Sequence, residues 1–145
     1  MKRHFLSLAL ASGLILAPAF AAEESDDEVN ARKIALDLAG AFSNEGFKLR
    51  DGHWMGSVAT GKGAVIQVNL FAGNQYWFSL GATDKAKKVS VSIFDETGKP
   101  IQYEPYQDAS SAAAGFSPEA SGPYLIKVEE LEGAPAAFCL LYSYK

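Results

Sequence analysis

The sequence predicts a mainly β protein: an antiparallel β-sandwich of about eight strands, jelly-roll-like, preceded by one amphipathic α-helix and a cleaved signal peptide. Three observations predict this class. Hydrophobic residues first recur at helical spacing, they alternate with polar residues from Phe47 onward, and tight-turn signals separate the alternating runs. Short strands with such turns are typical of antiparallel sandwiches and barrels.

Residues 1–21 have the pattern of a secretory signal peptide. Lys2 and Arg3 precede an apolar run over residues 5–16, and Ala19 and Ala21 provide the small side chains of a cleavage site. The apolar run is shorter than the roughly 18 residues that span a bilayer. We therefore expect a bacterial periplasmic or secreted protein that is soluble after cleavage and has no membrane span.

The rest of the chain divides into a helical segment over residues 22–46 and a β-sandwich domain over residues 47–145. The net charge of the whole chain is −4 at pH 7, and loss of the basic signal peptide makes the remainder more acidic. Nucleic acid is therefore not expected as a partner, because phosphate binding needs clustered Lys and Arg side chains. The sequence leaves the oligomeric state open.

Residues 26–44 are predicted to form the helix. Ser25 and Glu28 have the spacing of a capping box, and the acidic residues of the first turn lie where the helix dipole favours them. Gly46 fits a helix C-terminus. An apolar stripe is expected to pack on the domain. Its members are Val29, Ile34, Leu38 and Phe42, with Ala31, Ala35 and Ala41 nearby.

Alternating patterns predict the strands, which are 64–71, 76–80, 89–93, 124–128 and 138–144. Between Glu104 and Pro118 the alternation lapses. There we expect a long loop, with room for a short edge strand near residues 113–116.

Residues 56–63, GSVATGKG, differ by one residue from the phosphate-binding pattern G-x-x-x-x-G-K-[ST]. A phosphate loop needs a hydroxyl side chain after the lysine and a helix after that, whereas Gly63 follows Lys62 and a strand comes next. We therefore interpret the segment as a glycine-rich hairpin in which residues 61–63 form an exposed turn.

Residues of the common catalytic arrangements are scarce in this sequence. His53 is the one histidine after the signal peptide, so neither a histidine metal cluster nor an H-E-x-x-H helix is available, and no serine lies in a G-x-S-x-G elbow. Cys139, flanked by hydrophobic residues, is interpreted as a core side chain. We expect no enzyme activity, and the weakest alternative is a hydrolase that uses His53 with Asp51 or Cys139.

Aromatic side chains are the candidate ligand-binding residues, namely Trp77, Trp54 and Tyr106. If Tyr76 and Phe78 face the core, Trp77 faces outward and offers a platform for a sugar ring or for a partner's apolar side chain. The favoured alternative places Trp77 beneath the helix, which must bury its apolar stripe somewhere.

A series of short motifs spans about residues 54–144. Its members are the hairpin at 56–63, Ala72-Gly73 after a strand, the aromatic strand YWFSL at 76–80, Asp95 with Gly98, and SGPYLIKV with Gly122, Tyr124, Ile126 and Val128. This series resembles the bacterial pre-peptidase C-terminal domain, a small β-sandwich often attached to secreted proteases and similar to the collagen-binding modules of bacterial collagenases. The resemblance supports the predicted fold more strongly than it supports any particular function.

Members of that family bind calcium through acidic residues near the start of the domain, and the corresponding segment here is EESDDE at residues 23–28. The capping box explains these acids without a metal, and the sequence has no D-x-[DN]-x-[DN]-G loop. We therefore expect no cofactor. Calcium is the one candidate for a bound metal ion.

Together these features predict an exported, non-catalytic β-sandwich module that binds a protein or a polysaccharide in the cell envelope or outside the cell. The alternative is a structural or chaperone-like periplasmic protein, in which the helix and the segment around Tyr106 act on other exported chains.

Overall fold

A computed structural model describes residues 23–145, so the predicted signal peptide lies outside the described residues. The described chain contains one helix, α1 (Asp26–Ser43), and nine strands. The strands are β1 (Lys48–Leu49), β2 (Trp54–Val58), β3 (Ala64–Leu70), β4 (Tyr76–Ala82), β5 (Ala86–Asp95), β6 (Glu104–Asp108), β7 (Ser111–Phe116), β8 (Gly122–Gly133) and β9 (Ala136–Tyr144). Within residues 23–145, no helix has the length and apolar character that crossing a membrane requires.

The strands form two antiparallel sheets. The larger sheet has the order β1-β9-β4-β7-β6, with β2 also paired to β9, and the smaller sheet has the order β3-β8-β5. Every connection except β1–β2 and β6–β7 joins strands of different sheets, which is the behaviour of a jelly roll. The predicted mainly β, jelly-roll-like sandwich with one helix is therefore confirmed, with nine strands in place of about eight.

The main core lies between the two sheets. Alternate residues of each strand fill it, as the period of two in the sequence predicts. Its fully buried large side chains include Leu70, Phe78, Leu80, Val89, Ile93, Ile126, Val128 and Leu140.

The segment predicted as a long loop is a β-hairpin. β6 and β7 pair from Glu104 with Gly115 to Asp108 with Ser111, and β7 also pairs with β4. The long loop was wrong, because β7 is rich in alanine and lacks the β-branched residues that mark strands in a sequence. The short strand predicted near residues 113–116 is part of β7, although β7 lies between β4 and β6 and is not an edge strand. Packing overrides that weak propensity, since the three alanines at 112–114 are all buried.

The helix α1 begins as predicted. Ser25 Oγ accepts a hydrogen bond from the backbone N–H of Glu28 at 3.2 Å, and the Ser25 N–H donates to Glu28 Oε2 at 3.0 Å, which completes the capping box. The fully buried positions are Ala31, Ala35 and Ala39, which pack with Cys139 and Leu141 on the outer face of the larger sheet. Ile34, Leu38 and Phe42 of the predicted stripe are half-buried. Val29 of the predicted stripe is 44% exposed.

Gly81 of β4 explains why the buried stripe consists of alanines. A Cβ added at Gly81 would collide with the backbone of Ala31 and Ala35. The backbones of helix and strand therefore approach so closely that larger side chains have no room between them.

We expect Gly81→Ala to lower the free energy of unfolding by about 2 to 3 kcal/mol, because the added methyl group forces the helix away from the sheet. Gly40→Ala is the matched control. Gly40 lies in α1 and has nothing within 4 Å of its Cβ position, so alanine there is expected to raise stability by about 0.5 to 1 kcal/mol. Urea unfolding measures both variants, and a Gly81→Ala protein as stable as the wild type would contradict the close approach.

Residues 56–63 contain the predicted exposed turn, but they do not form the predicted hairpin, because β2 belongs to the larger sheet and β3 to the smaller one. Ala59 and Lys62 exchange backbone hydrogen bonds of 3.2 and 2.8 Å, and Gly61 has a positive φ of 79°. Gly63 lies against β8, where an added Cβ would collide with the carbonyl oxygen of Val128. The position at which a phosphate loop needs a hydroxyl is therefore a packing position in this protein.

Lys62→Ala is expected to change the free energy of unfolding by less than about 0.5 kcal/mol, because the side chain is exposed. Gly63→Ala should instead cost about 1 to 3 kcal/mol, since the collision is with backbone that cannot move aside. Thermal unfolding of the two single variants tests this contrast. A loss above about 2 kcal/mol for Lys62→Ala would show that the lysine has a structural role.

Candidate functional site

The three predicted ligand-binding aromatic residues lie in two separate places. Trp77 and Tyr106 line one hollow of about 380 Å³ beside the C-terminal end of α1. Trp54, on β2, lines a different groove between the two sheets. The structure therefore brings two of the three candidates together and leaves the third apart.

Trp77 lies beneath the end of the helix. Its indole stacks on Phe42, with ring centroids 4.3 Å apart and planes inclined by 9°. The indole also lies against Gly115, where an added Cβ would be 2.8 Å from it. This placement is the alternative that the sequence favoured, and it leaves Tyr106, 42% exposed on the edge strand β6, as the open aromatic side chain of this hollow.

A second aromatic surface, which we call the edge groove, lies where β3 of the smaller sheet faces β9 of the larger one. It consists of two adjoining hollows of about 320 Å³ each that share Arg50, Asn69, Phe71 and Tyr142. Its remaining lining residues are Trp54, Gln67, Val68, Asn74, Tyr76 and Tyr144.

The strand β9 organises the aromatic floor of the edge groove. Trp54 pairs with Leu140, so its side chain points to the same face as Tyr142, and the two rings stack with centroids 5.9 Å apart. The backbone N–H of Arg50 donates to the Tyr142 carbonyl at 3.0 Å. The Arg50 guanidinium then lies over both rings, 5.2 Å from the Tyr142 centroid and 5.9 Å from the Trp54 centroid.

Arg50 has no acidic partner in the part of the chain that the structure describes. No carboxylate of residues 23–145 lies within ion-pair distance of its guanidinium, and residues 1–22 contain neither Asp nor Glu. Its side-chain hydrogen bond is a long one, from Nη1 to the backbone carbonyl of Asp51 at 3.3 Å. An unneutralised positive charge therefore lies in an aromatic groove of an acidic protein.

Tyr76 fixes the other wall of the groove. Its hydroxyl accepts hydrogen bonds from the Phe71 backbone N–H at 2.9 Å and from the Asn74 side-chain amide at 3.2 Å. Phe71 is thereby held at the end of β3 with 62% of its surface exposed. Burial raises the pKa of the neighbouring Tyr142, although Arg50 opposes the shift, so this phenol is neutral at physiological pH.

Sequence reasoning identified one residue of this groove, Trp54, and missed the rest. Phe71 carried a usable signal, because it follows the alternating strand out of phase as a large aromatic residue beside a turn. Arg50 and Tyr142 carried none, since they are far apart in the chain and meet only through the pairing of β9 with the strands before it.

His53 and Cys139, two residues of the hydrolase alternative, lie around α1. His53 Nε2 lies 3.9 Å from Glu24 Oε1, and the same oxygen accepts a hydrogen bond of 2.5 Å from Arg32 Nη1. Cys139 is fully buried beneath α1, and burial raises its pKa to about 11. The sulfur is therefore a protonated thiol at neutral pH and a poor nucleophile.

The acidic segment at residues 23–28 is engaged in structural contacts. Glu24 pairs with Arg32, Asp27 pairs with Lys85 at 2.7 Å, and Glu28 belongs to the capping box. In the part of the chain that the structure describes, no three His, Cys, Asp or Glu side chains form a group that could hold a metal ion.

A wider hollow of about 790 Å³ lies between the β5–β6 and β7–β8 connections. Its principal acids and aromatics are Asp95, Glu104, Glu119, Tyr103, Phe116 and Tyr124. The Asp95 carboxylate closes the turn after β5 by accepting from Thr97 and Lys99, which lowers its pKa, and the Tyr124 hydroxyl donates to the Ala120 carbonyl at 2.6 Å. These two polar groups are satisfied within the protein, in contrast to Arg50.

One acid is buried in the main core. Glu130 follows Val128 on the inner face of β8 and is 2% exposed. Neither carboxylate oxygen has a hydrogen-bond partner among the described residues, and burial raises the pKa of this group. The folded protein therefore binds a proton at Glu130 more tightly than the unfolded chain does.

This raised pKa makes stability depend on pH. The contribution of Glu130 to stability is fully present below the ordinary pKa of a glutamate, about 4.3. It is lost as the pH rises through the raised pKa of the folded state. We expect Glu130→Gln to raise the free energy of unfolding at about pH 7 by about 1 to 3 kcal/mol, and to change it much less at about pH 4.

The control for this experiment is Glu129→Gln. Glu129 is the neighbouring residue, its carboxylate pairs with Lys127 at 2.8 Å, and its removal should lower stability slightly, by less than about 1 kcal/mol. Urea unfolding at the two pH values measures all three proteins. Identical pH dependence of the wild type and Glu130→Gln would contradict the burial of an unpartnered carboxyl group.

No protein-family model matches this chain, and no curated protein matches its sequence. The resemblance to the pre-peptidase C-terminal domain therefore stays a prediction from sequence motifs.

Proposed function

We propose that the protein is an exported, non-catalytic β-sandwich module that binds a polymer of the cell envelope or the extracellular space in the edge groove. One observation carries the proposal: aromatic rings converge around the unpaired guanidinium of Arg50 where the two sheets meet. Aromatic and Arg side chains dominate binding energies, because they offer a large contact area and directed hydrogen bonds. The predicted signal peptide supports export.

The size of the groove favours a chain of small units over a folded partner. Each hollow measures about 320 Å³, at the lower end of the volumes of small-molecule pockets. A stable protein interface instead needs about 800 Å² from each partner. The resemblance to an accessory domain of secreted proteases is consistent with a binding role.

A non-catalytic role is supported by the state of the candidate catalytic groups. Cys139 is a buried thiol with a pKa of about 11, and His53 lies beside Glu24 at the start of the helix, away from the residues that line the edge groove. The proposal requires no cofactor.

The chaperone-like alternative is less well supported. Such a protein could capture a strand of an unfolded chain along β6, which pairs on one side alone. Pro105 removes a backbone donor from β6, and the carboxylates of Glu104 and Asp108 flank it. Both features discourage strand addition.

Phe71→Ala is expected to weaken retention on insoluble envelope polysaccharide about tenfold or more, because it removes the exposed ring of the groove. Stability should change little, since the ring is 62% exposed. Val65→Ala is the matched control: Val65 lies on β3, the strand that Phe71 follows, is 59% exposed, and does not line the groove.

Retention is measured by depletion of the protein from solution by envelope material, before and after digestion of that material with protease. Binding that survives digestion and depends on Phe71 but not on Val65 supports the proposal. Binding lost on digestion would identify a protein partner instead, and equal behaviour of the two variants would exclude the edge groove as the binding surface.

A further inference from the structure

Arg50 adds chemical selectivity to the edge groove. We propose that this groove binds carboxylate-bearing sugar units of an acidic polysaccharide, with the Arg50 guanidinium holding the carboxylate. This inference rests on the proposed function and names the class of polymer.

The guanidinium is prepared for a planar anion. Trp54 and Tyr142 lie against it, so its orientation is restricted before a ligand arrives. Its edge N–H groups make one long hydrogen bond, to the Asp51 carbonyl at 3.3 Å. A guanidinium with free edge donors pairs with a carboxylate through two parallel hydrogen bonds, which are stronger than hydrogen bonds between neutral groups.

The neighbouring side chains fit the rest of a sugar. Phe71 presents an open aromatic face, and the C–H groups on one side of a pyranose ring carry the partial positive charge that this face attracts. Gln67 and Asn69 line the same groove with primary amides, each of which offers donors and an acceptor to hydroxyl groups. A lone carboxylate would use Arg50 and leave the ring and the amides without a role.

The charge of the protein further restricts the class of ligand. Its net charge of −4 repels polyanions in general, so a binding site for one must be local. Arg50 is the one cation among the residues that line the edge groove. One planar fork suits a carboxylate, whereas phosphate sites typically combine several cations with backbone N–H groups.

Calorimetric titration tests the inference with trimers of α- and β-linked hexuronic acids, each beside its neutral methyl ester. At least one acid trimer is expected to bind about tenfold more tightly than its ester. Arg50→Gln should remove that difference by weakening acid binding about tenfold while changing ester binding less than about twofold. Arg50→Lys keeps the charge and loses the fork, so it should restore part of the difference.

Two further variants separate the contribution of the groove from general effects. Arg32→Gln removes a guanidinium of α1 that already pairs with Glu24, and it should leave both affinities unchanged. Asn69→Ala should weaken the acid and the ester by the same factor, because the amide contacts hydroxyl groups common to both. Circular dichroism and the unfolding midpoint verify that the Arg50 variants remain folded.

Three results would overturn the inference and leave the proposed function intact. The first is equal binding of the acids and their esters, and the second is no binding of any trimer while Phe71-dependent retention on digested polysaccharide persists. The third is binding of hexaglutamate or inorganic phosphate at the same groove as tightly as the acid trimers. Loss of the Phe71-dependent retention would instead remove the proposed function, so the two failures are distinguishable.

Discussion

The contact between the alanine face of α1 and Gly81 is the constraint on which the rest of the structure depends. Because the helix backbone lies directly on β4, it covers the outer face of β4 and β9 and buries Cys139 and Leu141 in a second small core. The middle of the larger sheet is then closed to ligands. Open hollows are left at its margins, and the edge groove consists of two of them.

The strand β9 links the two cores to the groove. Its alternating side chains enter the main core, face the helix, or, at Tyr142, reach the floor of the groove. Tyr142 is 8% exposed and contacts Tyr76 and Phe78 as well as Trp54, so the floor shares the rigidity of the core. Sites supported by packed residues on strands hold their geometry better than sites built on loops alone.

Local patterns were sufficient to predict most of the fold. The capping box, the helix and five of the strands depend on spacings within a few residues, and the turn at Gly61 depends on local backbone geometry. The β6–β7 hairpin was predicted only as a loop with a short edge strand, because β6 is exposed along its whole length and β7 is rich in alanine, so neither strand has a clear alternating pattern. The groove was missed except for Trp54, since no short-range pattern connects Arg50 with Tyr142.

The depth of Cys139 beneath α1 has a practical consequence. It is the single cysteine of the sequence, and its pKa of about 11 keeps it as a thiol, whereas alkylating reagents attack the thiolate. A second cysteine placed on an exposed surface would therefore accept a fluorophore or spin label selectively in the folded protein, with the native residue left in place. The native sulfur becomes reactive when the helix lifts from the sheet, so its slow modification reports how often that local opening occurs.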